Sequence, residues 1–174
     1  MRNLKLFVST LFILLVVINV NGQAKSSNVI PDAVTSGFNK KYPNAKVRRW
    51  KTEENKYVAK TEINGHRCSV AFEKNGNWVN TITRIRWTHQ LPSNVYEAYK
   101  KSKYNSWDVY SLAKVEKQSG DYYRVIVDDR NAKVSSDRQP LFITEKLLEF
   151  KANGTLIQVT DISDSSADYI AGNK

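Results

Sequence analysis

Two short stretches of the chain carry apolar residues at helical spacing, and each follows a proline. In the first stretch Pro31 precedes Val34 and Phe38, and the stretch after Pro92 has the same spacing. Proline is tolerated at a helix start because its missing N–H would have no partner there, and Pro43 ends the first stretch. The pattern predicts two short amphipathic helices, each with one face to bury.

Apolar and polar residues alternate with period two in four segments after each predicted helix. Asn-Gly pairs and other turn signals separate these segments, which is typical of antiparallel strands joined by hairpins. The predicted strands are KVRRW, KYVAKTEI, RCSVAFEK and WVNTITRIRW in the first half, and DVYSLAKVEK, YYRVIVD, TEKLLEFK and LIQVTDI in the second. We therefore expect one antiparallel meander in each half.

The two halves resemble each other. The segment FEKNGNWVNT, which starts at Phe72, returns as FKANGTLIQVT from Phe150. The short NGH turn of the first half is replaced in the second by a long polar loop over residues 128–140, which costs little because loop closure entropy grows slowly with length. The sequence predicts an α+β fold built as a tandem repeat of a helix plus an antiparallel meander.

The first 22 residues form a separate segment. Arg2 and Lys5 precede an apolar run that ends at Val20 and is shorter than the roughly 20 residues of a membrane-spanning helix. Val20 and Gly22 suit a signal-peptidase site, so we expect cleavage before Gln23 and no stable membrane insertion afterwards; the alternative is an uncleaved anchor. The predicted division is a signal peptide (1–22), a first repeat (23–90), a second repeat with the long loop (91–162) and a flexible tail (163–174).

The chain is strongly basic, with a formal net charge of +10. An excess of Lys and Arg favours acidic partners. Because we expect the protein to be periplasmic or secreted, nucleic acid is not an expected partner, and acidic glycans, anionic lipid surfaces and acidic proteins are the candidates. The alternative is a basic surface that serves only solubility.

Few residues of the sequence suit catalysis. His66 and His89 are expected to be exposed, and Cys68 alternates with apolar neighbours, which indicates a buried small hydrophobe rather than a reactive thiol. A single cysteine forms no internal disulfide. The acidic segment 161–168 lacks the glycine and terminal glutamate of a calcium loop. We therefore predict no catalytic residue, no metal site and no cofactor.

Aromatic and basic residues of the first half predict a binding surface. If Thr81 faces the helices, as the repeat suggests, then alternation places Trp78 on the opposite face together with Arg84 and Arg86. Tryptophan among arginines is a frequent composition of binding hot spots, and the alternative is solvent cover by long side chains. The predicted binding residues, with the last two expected on a neighbouring strand, are Trp78, Arg84, Arg86, Arg48 and Trp50.

The motifs FNKKYPNAKV, YVAKT and FEKNGNW resemble the PepSY-like, β-lactamase-inhibitor-like (BLIP-like) family of exported bacterial proteins, which is common in the Bacteroidetes. The resemblance covers residues 30–162 and is clearest in the first half. It implies a continuous, somewhat concave sheet with helices on one side, and a non-enzymatic protein. The inhibitors after which the family is named bind an enzyme through the sheet face and its loops.

These observations together predict an exported binding module that recognises, and in one form inhibits, a periplasmic or secreted protein through its free sheet face. An acidic polymer is the other ligand class that the charge allows. The alternative is a structural cell-envelope protein that adheres to anionic glycan or lipid. Salt separates the two, because adhesion through charge alone collapses at high ionic strength.

Overall fold

The computed structural model of the protein describes residues 29–129 and 144–163. The predicted signal peptide, most of the 128–140 loop and the tail from residue 164 lie outside the described residues. The helices are α1 (Asp32–Lys41) and α2 (Ser93–Lys101), with a 3-10 turn (Thr88–Gln90) before α2. The strands are β1 (Val47–Glu53), β2 (Lys56–Ile63), β3 (His66–Phe72), β4 (Trp78–Ile85), β5 (Asp108–Lys117), β6 (Tyr122–Asp128), β7 (Glu145–Lys151) and β8 (Leu156–Asp161).

Both predicted helices are present. α1 begins directly after Pro31 and α2 directly after Pro92, and each helix buries the two residues predicted from its spacing. Pro43 lies just beyond the end of α1. Within residues 29–129 and 144–163, no helix is long and apolar enough to cross a membrane.

The eight strands form one antiparallel sheet in the order β1 to β8, so each strand pairs with its neighbours in sequence. Both helices pack on the same face of this sheet. In β4, Thr81 bonds Tyr42 at the end of α1, and Ile85, which is on the same face by alternation, packs in the cluster that contains α2 residues. The opposite face of the sheet, which we call the open face, carries neither described helix.

Two apolar clusters fill the space between the helices and the sheet. The α1 cluster is built around Val34, Phe38, Ala59, Cys68, Val70 and Phe72, and the α2 cluster around Leu91, Val95, Tyr99, Tyr104, Leu112, Val125, Val127, Leu148 and Phe150. Cys68 is buried, as predicted, and burial raises the pKa of its thiol above the ordinary value. The two histidines, His66 and His89, are exposed, as predicted.

The predicted face of Trp78 is wrong. Ala71 of β3 pairs with Asn80, but the next residue, Phe72, pairs with Trp78, so Val79 is an extra residue in a β-bulge. A bulge shifts the alternation by one position. Trp78 therefore lies on the helix face and packs against the α1 cluster.

The predicted start of the long loop also needs correction. Asp128 is the last residue of β6, and Asp129 is buried. The backbone N–H of Thr144 donates to Asp129 Oδ1 at 2.7 Å, and the N–H of Asp129 donates to the carbonyl of Thr144 at 3.2 Å. Because this ladder continues the β6–β7 pairing, a shortened loop must keep Asp128 and Asp129.

Candidate binding face

Cross-strand pairs place basic residues along the open face. One continuous row of direct neighbours crosses seven strands and contains no acidic residue: Arg49, Lys60, Ser69, Ile82, Val115, Tyr122 and Lys151. A second row, also without an acid, is Lys51, Val58, Ala71, Asn80 and Lys117. Directly opposite residues have their side chains on the same face of the sheet. The middle of the two rows contains the buried apolar residues Val58, Ala71 and Val115. Basic residues lie toward the ends of the rows.

The five predicted binding residues do not form one surface. Arg84 lies on the open face, opposite Ala113 of β5, and Arg86 is exposed just beyond the end of β4. Trp50 pairs with Ala59 on the helix face, and its ring lies 5.9 Å from that of Phe38 in an edge-on contact. Two strands, β2 and β3, also separate β1 from β4, so the residues of β1 are not on a neighbouring strand.

Arg48 lies at a second bulge, between Val47 and Arg49 of β1. Its side chain forms an exposed ion pair with Glu62 of β2. An exposed pair of this kind contributes little to stability, of order 0 to 1 kcal/mol. Arg48 thus remains available at the margin of the open face.

Three cations on β1 and β2 form a group that we call the cationic cluster: Arg49, Lys51 and Lys60. Arg49 and Lys60 are direct cross-strand neighbours, and Lys51 follows two positions after Arg49 on the same face. Like charges directly opposite each other destabilise a sheet. The cationic cluster therefore concentrates positive charge on the open face, with Glu53 two positions beyond Lys51 on the same face.

Lys60 is the most enclosed member of the cationic cluster. Its Nζ donates to Ser69 Oγ of β3 at 2.9 Å. Burial lowers the pKa of its ammonium below the ordinary value; Glu53 acts against this, and Lys51 and Arg49 lower the pKa further. An added anion near Lys60 would favour the charged form of its ammonium.

The other end of the first row carries a tyrosine cluster, made of Tyr122, Lys117, Arg124 and Glu149. Arg124 donates to the Tyr122 hydroxyl at 3.0 Å and to Glu149 Oε1 at 2.9 Å. The Lys117 ammonium lies 5.2 Å from the centre of the Tyr122 ring, and the Arg124 guanidinium 5.4 Å from it. The hydrogen bonds hold the Tyr122 ring and the Arg124 guanidinium in one arrangement, so little of their side-chain freedom is lost when a partner binds.

An open depression of about 490 Å³ adjoins the tyrosine cluster. It lies between the β5–β6 turn and the β7–β8 end of the sheet. Its lining residues are Lys117, Ser119, Gly120, Asp121, Tyr122, Glu149, Lys151 and Ile157. Both charge signs and one aromatic ring line it, which suits a projecting polar side chain of a partner.

Part of the open face can be predicted from the alternation of buried and exposed residues along the strands. In β2, Ala59 and Thr61 are buried, so Lys60 had to face the other way. Tyr122 was harder to place, because Val125, Ile126 and Val127 of β6 are all buried and hide the alternation. Neither residue was among the predicted binding residues.

The sequence profile of a family described as "Putative beta-lactamase-inhibitor-like, PepSY-like" matches residues 17–65 and 63–158. No curated protein matches the chain.

Several solved structures have a similar fold. A BLIP-like protein from Bacteroides fragilis is 27% identical with a TM-score of 0.64, and the alignment covers 76% of this chain and 87% of that one. A DUF2874 family protein from Bacteroides ovatus is 25% identical with a TM-score of 0.67, with coverage of 82% and 96%. A structure from Bacteroides eggerthii, described as "putative periplasmic proteins", is 21% identical with a TM-score of 0.67, with coverage of 77% and 90%.

Proposed function

Because the chain belongs to the beta-lactamase-inhibitor-like, PepSY-like family, we propose that it is an exported, non-enzymatic binding module. Its open face recognises an acidic surface on another periplasmic or secreted protein. Inhibition of an exported enzyme is one form of this function, and the similarity to a BLIP-like protein supports it.

The observation that carries the proposal is the cationic cluster. Arg49 and Lys60 lie directly opposite each other, and Lys60 is half-buried with a lowered pKa. Two cations held directly opposite each other on one face attract an acidic group of a partner. A carboxylate from a partner, placed between these side chains, would form charge-assisted hydrogen bonds with them.

The tyrosine cluster supports the same function. Tyrosine and arginine are enriched among the residues that dominate binding energy. Tyr122 is held by Arg124 through a hydrogen bond, and Arg124 is held in turn by Glu149. The open face thus offers a fixed aromatic anchor at one end and a positive centre at the other.

The absence of a reactive group from the described part of the chain supports a non-enzymatic role. The Cys68 thiol is buried and its pKa is raised, which disfavours the thiolate that acts as a nucleophile. The exposed positions of His66 and His89 leave neither histidine enclosed beside a nucleophile. The predicted signal peptide and the periplasmic description of one similar structure support export.

We also propose that the two halves arose by duplication of a helix-plus-meander unit. The β3–β4 and β7–β8 turns have matching bonds: Gly76 N–H donates to the Glu73 carbonyl, and Gly154 N–H donates to the Lys151 carbonyl, each at 2.9 Å. Each glycine also packs on the backbone of the first helical turn of its own half, at Ala33 and at Asn94.

Affinity capture from the native cell envelope and medium tests the binding function. The bait is the exported chain, and the test variant is Arg49→Gln with Lys60→Met, which removes two charges from the cationic cluster. The matched control is Lys100→Gln with Lys101→Gln, which removes two charges from the end of α2. We expect the test variant to lose a captured protein that the wild type and the control both retain.

The salt dependence of binding and the class of ligand distinguish the proposed function from a structural role in the cell envelope. An interface with an aromatic anchor should persist at an ionic strength at which adhesion through charge alone collapses. If the control loses the same capture, the open face is not the binding site. If the wild type instead binds anionic vesicles or acidic glycan and releases them at high salt, the structural envelope role replaces the proposed one.

A further inference from the structure

The strand order leaves the described sheet with two edges, β1 and β8. An edge strand presents unpaired backbone N–H and C=O groups, to which a strand from another chain can bind. Proteins that remain monomeric protect their edges with charged side chains and bulges. The two edges of this sheet differ in how far they are protected.

The β1 edge carries both kinds of protection. Arg48, Arg49, Lys51 and Glu53 lie within its seven residues. The bulge between Val47 and Arg49 also interrupts the regular backbone spacing. A second strand that approached this edge would meet a kinked backbone surrounded by cations.

The β8 edge has little protection. Leu156, Ile157 and Val159 are exposed by 46%, 47% and 38%, and they are half of the large exposed apolar residues in the described part of the chain. The strand has no Lys or Arg, and its one charged residue, Asp161, is paired with Lys146 of β7. From Gln158 to Asp161 its pairing with β7 is regular.

We propose that β8 pairs with β8 of a second copy of this chain, in antiparallel orientation, and joins two sheets into one. Such a contact uses the same surface of both subunits and closes as a two-fold dimer. The two-fold axis is then normal to the sheet, so the helices of both copies lie on one side. The two open faces become continuous on the other side.

The other edge-to-edge contacts between copies are worse. Pairing β1 with β1 around Trp50 would place Arg49 opposite Lys51, and like charges directly opposite are unfavourable. Pairing β1 with β8 joins different surfaces and leads to a ring or an open filament rather than a two-fold dimer. The β8–β8 contact alone avoids both problems.

Alternation restricts the register of the β8 pair. Directly opposite residues must lie on the same face, so the pair is centred on one residue. With Val159 opposite its own copy on the helix face, Gln158 faces Thr160 on the open face. This register brings the two Val159 side chains together, places Ile157 opposite Asp161 of the second copy and keeps the two Asp161 carboxylates apart.

Sedimentation of the exported chain tests the dimer, and Val159→Lys is the edge variant. We expect the wild type to be a dimer and Val159→Lys to dissociate at least about ten times more readily, while its circular dichroism is unchanged. Thr52→Lys, on the exposed part of β1, is the matched control and should remain dimeric. Because each exported copy lacks Arg2 and Lys5 and so carries a net charge of 10 − 2 = +8, dimerisation should strengthen as salt rises, the opposite of binding to an acidic partner.

A cysteine cross-link tests the surface and register without a destabilising charge. In a Cys68→Ala background, Val159→Cys should form an intermolecular disulfide on mild oxidation, because directly opposite residues have the Cα separation that a disulfide needs. Thr52→Cys in the same background should not cross-link. A monomeric wild type, or a dimer in which Val159→Cys fails to cross-link, overturns the proposal. Neither outcome bears on the open-face binding site, which lies on other residues.

Discussion

The indole Nε1 of Trp78 donates a hydrogen bond of 2.9 Å to the hydroxyl of Thr81, three positions further along β4. In a regular strand these two side chains would lie on opposite faces. The bulge at Val79 brings both to the helix face, where Thr81 is buried and also bonds the Tyr42 hydroxyl at 2.6 Å. The Lys41 ammonium lies 3.7 Å from the centre of the indole. Trp78 therefore connects the β3–β4 turn to the end of α1.

This arrangement makes Trp78 a stability residue. We expect Trp78→Ala to lower the free energy of unfolding by about 2–3 kcal/mol, because truncation removes packing against the α1 cluster and a buried partner of Thr81. Trp87→Ala is the matched control: its side chain is 57% exposed, and its loss should cost less than about 1 kcal/mol. Urea denaturation of both variants measures the difference. Equal effects would contradict the helix-face position of Trp78.

The close approach of the hairpin turns to the helices predicts a second difference. A Cβ at Gly76 would lie 2.2 Å from the carbonyl oxygen of Ala33, and one at Gly154 would lie 2.5 Å from that of Asn94. Both glycines have a φ of +86°, so substitution also strains the backbone. We expect Gly76→Ala and Gly154→Ala each to cost roughly 2–4 kcal/mol.

Gly65→Ala separates the close contact from the backbone strain. Gly65 has a φ of +78°, but no atom lies within 4 Å of an added Cβ. Its substitution should cost about 1 kcal/mol. The three variants are compared by thermal and urea unfolding. If Gly65→Ala is as costly as the other two, the packing of the turns on the helices contributes nothing measurable.

The helices and strands could be predicted because local chemistry determines them. Prolines mark both helix starts, spacing of four marks the buried faces, and Asn-Gly pairs mark the hairpins, so all ten main elements follow from short-range patterns. The hairpins also indicate which strands are neighbours within each half, whereas the pairing of β4 with β5, which are connected through α2, does not follow from a hairpin signal.

The face of individual side chains was less predictable. A bulge adds one residue without a distinctive sequence signal, and the one at Val79 moved Trp78 to the other side of the sheet. Trp50 is predicted to be a binding residue because it follows Arg48 and Arg49, but its packing on Phe38 places it on the helix face. Of the five predicted binding residues, only Arg84 could be placed on the open face by alternation alone, because it lies beyond the bulge in the regular part of β4.

Asp161 should titrate at unusually low pH. Its hydrogen bonds with Lys146 and with Ser163 hold the pKa of the carboxyl at about 2, below the model-peptide value. These bonds favour the charged form, so their stabilising effect is present at neutral pH and is lost as pH falls from about 4 to about 2. A ¹³C NMR titration of the side-chain carboxyl should show the low value in the wild type. In Lys146→Met the value should rise toward 3.8.

An unchanged Asp161 titration in Lys146→Met would mean that this ion pair does not form in solution. Lys114→Met is the control, because Lys114 pairs with Glu116 of its own strand β5 and with Asp121 of the β5–β6 turn, away from Asp161. This control should leave the Asp161 pKa as in the wild type.

The leader peptide remains a prediction from sequence. We expect the exported chain to start at Gln23 and to be recovered without membrane extraction, because the apolar run is too short to span a bilayer and is followed by small residues at the cut. N-terminal sequencing of the protein from the soluble envelope fraction measures the start. Met1 retained in a membrane fraction would instead identify an anchored protein.

The order of the strands also has a consequence for how the chain folds. Each strand from β2 to β8 pairs with the strand that precedes it in the sequence. The loops that connect the strands of the first meander are therefore short, so their contacts are local in sequence. A low contact order of this kind favours fast folding. A chain that emerges N-terminus first from a ribosome or a translocation channel can add each strand to the growing edge as it arrives. The segment still to emerge is never needed to complete the pairs already formed.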